Sequence, residues 1–136
     1  MRKLFLRAAI LLAMTAVILG AFAAHTLSSK ISPDRLDVFQ TGVKYQIYHA
    51  LSLMGLGIWF YFKQTSLMKW TGWLWIAGTL CFSGSLYFLA VRDWLGLNLS
   101  WLGPITPIGG LLFISGWLAL FLATFQENGK YVRKED

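Results

Sequence analysis

Four long apolar runs dominate the chain: Ala8–Leu27, Tyr45–Phe62, Trp70–Val91 and Ile105–Phe125, of 20, 18, 22 and 21 residues, none holding Asp, Glu, Lys or Arg. At about 1.5 Å of rise per residue, each is long enough as a helix to cross a hydrocarbon core of about 30 Å. The pieces left between and beside them hold 7, 17, 7, 13 and 11 residues, and none of these can bury a core of its own. The expected fold is therefore all-α: one integral membrane domain over residues 1–136, built as an antiparallel four-transmembrane-helix bundle.

Local signals mark where helices start. Ser32-Pro33-Asp34 reads as an N-cap, a proline at the first helical position and an acid in the first turn. Leu36, Phe39, Val43 and Ile47 follow at helical spacing, so residues 33–44 form a candidate interfacial helix running into the second span. Thr106-Pro107 repeats the cap-then-proline signal for the last helix. Trp59, Tyr61, Trp70 and Trp73 flank the short turn Lys63–Lys69, where aromatic rings at headgroup level are expected. Small residues recur at every fourth position, as Ala16, Gly20, Ala24, then Ala77, Cys81, Ser85, then Ser115, Ala119, Ala123. Such seams let helix backbones approach closely in lipid, within one chain or between copies.

Composition agrees: 57% of residues are hydrophobic and 13% charged, which excludes a soluble domain and most enzyme classes. The net charge of +6 does not point to nucleic acid, because the basic residues are scattered over termini and short loops. It reads instead as orientation. With four spans, one side carries Arg2, Lys3, Arg7, Lys63, Lys69, Lys130, Arg133 and Lys134, and the other Lys30, Arg35, Lys44 and Arg92. The excess places both termini in the cytoplasm of a cell whose inner or plasma membrane holds the chain. Arg2, Lys3 and Arg7 before an apolar stretch and Ala21-Phe22-Ala23 also fit a cleaved secretory signal, but the run continues to full span length and is read as an uncleaved first helix. Cys81 is the only cysteine, a packing residue by default.

Candidate chemistry lies in a few polar residues inside the runs. His25 and His49, the only histidines, fall at similar outer depths, and Gln46 lies beside His49. Ser83, Ser85 and Tyr87 bring polar groups to the third span, and Thr106, Gly109 and Gly110 open the fourth. One reading has these groups hydrogen-bond one another and pin the helix register, since an unpaired polar group in hydrocarbon costs several kcal/mol. Another makes them an outward-facing ligand pocket, with the histidines as donors or acceptors, Gln46 as an orienting amide and the N–H groups at Ile108-Gly109-Gly110 facing an anion. No carboxylate lies within the spans to orient a histidine, so neither a hydrolase nor a metal site is expected, and no cofactor is called for.

Four ordered motifs carry a resemblance: Leu19-Gly20-Ala21-Phe22-Ala23-Ala24-His25; Thr41-Gly42-Val43-Lys44-Tyr45-Gln46 with His49-Ala50-Leu51; Phe82-Ser83-Gly84-Ser85-Leu86-Tyr87; and Ile105-Thr106-Pro107-Ile108-Gly109-Gly110 through Gly116-Trp117. Over about Leu12 to Leu120 the chain resembles the small membrane-protein family known as domain of unknown function 423, which is similar to transmembrane protein 256. The resemblance implies a four-helix integral membrane protein, usually of the bacterial inner membrane, and brings no biochemical activity with it. Alanine at Ala24 and lysine at Lys44 depart from the family's habit of small residues at those places, glycine at the first.

The functional expectation is a non-enzymatic accessory or scaffold protein with a candidate small-ligand or lipid-headgroup site in the outer leaflet. Its expected partners are membrane lipids and a second copy or another membrane protein. The alternative is an oligomeric channel or transporter-like pore, and the third a membrane enzyme or cofactor carrier using His25 and His49.

Overall fold

The computed structural model describes residues 1–126 together with Lys130 and Tyr131. Four long helices account for nearly all of it: α1 (Arg2–His25), α2 (Pro33–Trp59), α3 (Ser66–Leu95) and α4 (Ile105–Thr124). Two short 3-10 turns, Leu27–Ser29 and Ser100–Leu102, lie in the connections after α1 and α3. A two-residue antiparallel ribbon pairs Lys63 with Tyr131 and Gln64 with Lys130.

The start signals act largely as the residues dictate. The Ser32 hydroxyl accepts from the Arg35 N–H at 3.4 Å, with Pro33 first in α2 and Asp34 in its first turn. Residues 33–44 are thus the opening turns of a continuous α2. Phe39 is buried there against Ala23, Leu27 and Ala90. Thr65 caps α3 by accepting from the Met68 N–H at 3.2 Å. At its far end Gly96 takes the left-handed conformation (φ 65°), which glycine adopts without steric penalty, and Leu97 N–H then returns to the Arg92 carbonyl at 2.9 Å. The last helix departs from expectation. It begins at Ile105 with Pro104 as its N-cap, so Thr106 lies inside the first turn and its hydroxyl is free for another helix.

Each helix packs chiefly on its neighbour in sequence, in the order α1, α2, α3, α4. Gly20 approaches Val43 and Gly57 approaches Leu6 between α1 and α2; Gly42 approaches Tyr87 between α2 and α3. Between α3 and α4 the pairs are Phe82 with Gly109, Phe113 with Gly78, and Trp75 with Gly116. The α3–α4 seam is therefore an exchange of large for small, aromatic rings seated over glycines of the facing helix. Of the small residues expected at every fourth position on these two helices, Ala77, Cys81 and Ala119 are half-buried. Ser115 is exposed, while Ser85 and Ala123 of that expected set are buried.

Two apolar clusters close the interior. One holds Phe5, Leu53, Phe60, Met68, Trp75 and Phe113, the other Ala23, Leu27, Phe39 and Ala90. Buried Gln46, His49, Thr79 and Ser83 lie between them along α2 and α3. The outside is inverted relative to a soluble protein: Val17, Leu80 and Ile114 are each 65% exposed, whereas Gln46 and His49 are each 5%. By length and composition three stretches are apolar enough to cross a membrane, Arg2–Ser29, Ser66–Leu95 and Ser100–Thr124. The fourth helix of the set, α2, has the length but carries the polar interior residues.

Candidate functional site

Gln46 is the hub of the polar interior. Its Nε2 donates to the Leu12 carbonyl and to Thr15 Oγ1, both at 2.8 Å, and its Oε1 accepts from the Tyr87 hydroxyl at 2.8 Å. One side chain thus links α1, α2 and α3, with both amide protons and the carbonyl engaged. Tyr87 is held for this by Phe39, whose ring centroid is 4.7 Å away, and by the closeness of Gly42, where a Cβ would collide with the phenol ring.

His49 lies one turn further along α2 and faces α4. Its ring stacks on Phe113 at 3.5 Å between centroids with a 9° tilt. Trp117 Nε1 lies 3.3 Å from His49 Nε2, and His49 Nδ1 lies 2.9 Å from the Tyr45 carbonyl. An indole N–H can only donate, so Nε2 accepts, and Nδ1 carries the proton that goes to Tyr45. This assigns one neutral tautomer, with both ring nitrogens engaged.

A third contact joins α3 to the first turn of α4. Ser85 Oγ and Thr106 Oγ1 are 2.6 Å apart, and Ser85 also donates to the Phe82 carbonyl at 2.9 Å. Thr71 reaches across the same seam to the Gly116 carbonyl at 3.2 Å. Among the described residues, Ser83 Oγ and Trp75 Nε1 are the buried side-chain polar atoms without a protein hydrogen-bond partner.

The expected cluster is therefore brought together only in part. Gln46 and Tyr87 form one contact, Ser85 and Thr106 another, and His49 a third with residues outside the expected set. His25 is the last residue of α1, exposed, and makes no side-chain hydrogen bond among the described residues. Gly109 and Gly110 do not open toward an anion. They lie beyond the first turn of α4, where N–H groups bond to the helix's own carbonyls, and Gly109 is pressed against the backbone of Phe82. Thr15, Phe113 and Trp117 were not singled out in advance. Thr15 carried a signal, as the only polar side chain of the first run before His25, and Trp117 closes the fourth motif.

His49 is not paired with any nucleophile or carboxylate, and among the described residues no three His, Cys, Asp or Glu side chains converge. At the N-terminal end of α2, Arg35 donates to the Leu89 carbonyl at 3.1 Å and pairs with Asp93 at 2.8 Å, clamping α2 to the C-terminal part of α3.

Comparison with known proteins places this geometry in a family. The family described as "Protein of unknown function (DUF423)" matches residues 19–110. A UPF0382 membrane protein of Staphylococcus aureus is 46% identical over 128 residues, covering 93% of this chain and 99% of the relative. Its counterpart in Staphylococcus haemolyticus is 45% identical with the same coverage, and that of Staphylococcus saprophyticus 45% identical over 91% of this chain and 98% of its own. No solved structure matches the chain. Identity sustained across nearly the whole of several membrane proteins leaves one assignment: the chain belongs to the DUF423 family of membrane proteins, whose function is unknown.

Proposed function

We propose that this protein is a non-enzymatic accessory or scaffold protein of the cell membrane, crossing it four times as an antiparallel four-helix bundle with both termini in the cytoplasm. The observation that carries the reading is the engagement of Gln46 with Leu12, Thr15 and Tyr87. A polar interior whose members bond one another specifies how helices assemble, and the engaged Gln46 and His49 offer no free donor to a substrate. α2 counts as a span because it lies between α1 and α3, turns Gln46 and His49 inward, and presents Tyr48, Leu51 and Ile58 outward. The pore alternative needs a polar path along an axis between chains, whereas Gln46 and His49 are buried within one chain. Membrane lipids cover the apolar outer faces, and a second copy or another membrane protein is the partner expected there.

Orientation is tested with single cysteines in a Cys81→Ala background. Ser29→Cys and Asn98→Cys are expected to react with an impermeant maleimide in intact cells, and Gln64→Cys and Gln126→Cys only after permeabilisation. The opposite pattern rejects the cytoplasmic termini, and one loop on the wrong side removes a span.

The absence of a substrate site at the polar interior is tested by native mass spectrometry of the gently released protein. Wild type and His49→Ala are expected to carry the same small-molecule adducts. A molecule retained by wild type and lost from His49→Ala, with the variant still folded by circular dichroism, would replace the scaffold reading with a ligand site.

A further inference from the structure

An open cavity of about 430 Å³ lies where α3 ends, lined by Arg92, Asp93, Gly96, Leu97, Asn98 and Ser100. Its size is within the roughly 300–1,000 Å³ range of small-molecule sites. None of its polar lining belongs to the Gln46 and His49 contacts.

The donors around it are unequally engaged. Arg92 touches Asp93 through Nε alone, at 3.4 Å, which leaves both terminal guanidinium nitrogens without a partner among the described residues. Asn98 Oδ1 accepts from the Ser100 N–H at 3.5 Å, so its Nδ2 is left as the donor. Among the described residues the Ser100 hydroxyl makes no bond either. Asp93 is the one acidic group at the rim, and it is drawn toward Arg35 at 2.8 Å and toward Arg92. Two guanidinium groups against one carboxylate leave the pocket positive, with a planar cation, an amide and a hydroxyl as its free donors. That donor set suits the oxygens of a phosphate.

The surroundings say where the phosphate comes from. Trp94, Leu95, Leu97 and Trp101 are exposed at 46, 49, 51 and 65%, a girdle of aromatic and aliphatic side chains on the same turn as the donors. Such residues settle at the headgroup level of a bilayer, with acyl chains beside them. A phosphate held by Arg92 there would have its lipid tails against Leu95, Leu97 and the two indoles.

We propose that the pocket formed by Arg92, Asn98 and Ser100 at the end of α3 binds the phosphate group of a membrane glycerophospholipid. This goes beyond the scaffold reading, and binding measured in detergent does not depend on which leaflet the loop faces. A failure here therefore leaves the topology untouched, and a reversed topology leaves this site standing.

The test uses the full chain in detergent and native mass spectrometry with phosphatidylglycerol, with diacylglycerol of the same acyl chains, and with inorganic phosphate as competitor. Wild type is expected to prefer the phosphorylated lipid, and Arg92→Gln to bind it about tenfold more weakly, the scale of one or two charge-assisted hydrogen bonds. The loop double variant Asn98→Ala/Ser100→Ala, which removes no bond between the four α-helices, is expected to lose several-fold with an unchanged melting temperature. Equal binding of the two lipids, or phosphatidylglycerol binding unchanged in both variants, would overturn the proposal. Displacement of the lipid by millimolar inorganic phosphate would assign the pocket to a free anion and overturn the lipid as its occupant.

Discussion

Gly109→Ala should destabilise the protein more than substitution at any position on its surface. A Cβ at Gly109 would lie 2.7 Å from Phe82 Cα and as close to Phe82 Cβ, and it would meet the Phe82 backbone nitrogen closer still. Backbone cannot swing aside as a side chain can, so α3 and α4 must separate along a seam that also seats Phe113 over Gly78 and Trp75 over Gly116. Overpacking of this kind costs about 1–3 kcal/mol, and more where the obstacle is backbone. Two other glycines of the same molecule serve as controls. A methyl group added at Gly55 or Gly84 would meet nothing within 4 Å, and Gly55→Ala or Gly84→Ala should be neutral or stabilising by up to about 1 kcal/mol through helix propensity. Thermal unfolding in a single detergent ranks the three. If Gly109→Ala melts with the two controls, Gly109 is not a packing residue, and its place in the fourth motif needs a different cause.

Much of this fold was legible in the sequence because the membrane imposes a simple demand. Runs free of charge and about 20 residues long have few alternatives to a helix, and the helices found contain most of each predicted run, extended where charged residues continue the turn, as Arg2, Lys3 and Arg7 do in α1. Ser32-Pro33 fixed the start of α2 because its cap chemistry is local. Gln46 and Tyr87 stood out because a polar side chain in such a run needs a partner. What could not be read was the partner itself. The Leu12 carbonyl looks like any other backbone group, brought within reach of Gln46 only by the approach of two helices, and the pairing of Phe82 with Gly109 depends on register between helices. His25 was misplaced for a related reason. Depth alone put it beside His49, but α1 ends at His25, and the side chain is directed away from the interior. Thr106 shows the converse error: its hydroxyl, expected to cap α4, bonds Ser85 because the helix starts two residues earlier, at Ile105.

Gln46→Leu should be the costliest single loss of a polar side chain, because three bonds end together and the Tyr87 hydroxyl is left facing an apolar group. Inter-helix hydrogen bonds in membrane proteins average about 0.6 kcal/mol each, and an orphaned polar group adds about 1–3 kcal/mol, so a loss of about 3–5 kcal/mol is expected. Tyr87→Phe alone should cost less, since it orphans only Gln46 Oε1. The decisive variant is the double one, Gln46→Leu/Tyr87→Phe. With both partners apolar nothing is left unpaired between α2 and α3, and the double variant should be more stable than the sum of the single losses predicts, by about 0.5–3 kcal/mol of coupling. Simple additivity would mean that the amide and the phenol do not bond. The sign also separates structure from function. Polar groups kept for a ligand at a price in stability would make the apolar double variant more stable than wild type, whereas groups that hold three helices in register leave it less stable, by the bonds from Gln46 to Leu12 and Thr15 that nothing replaces.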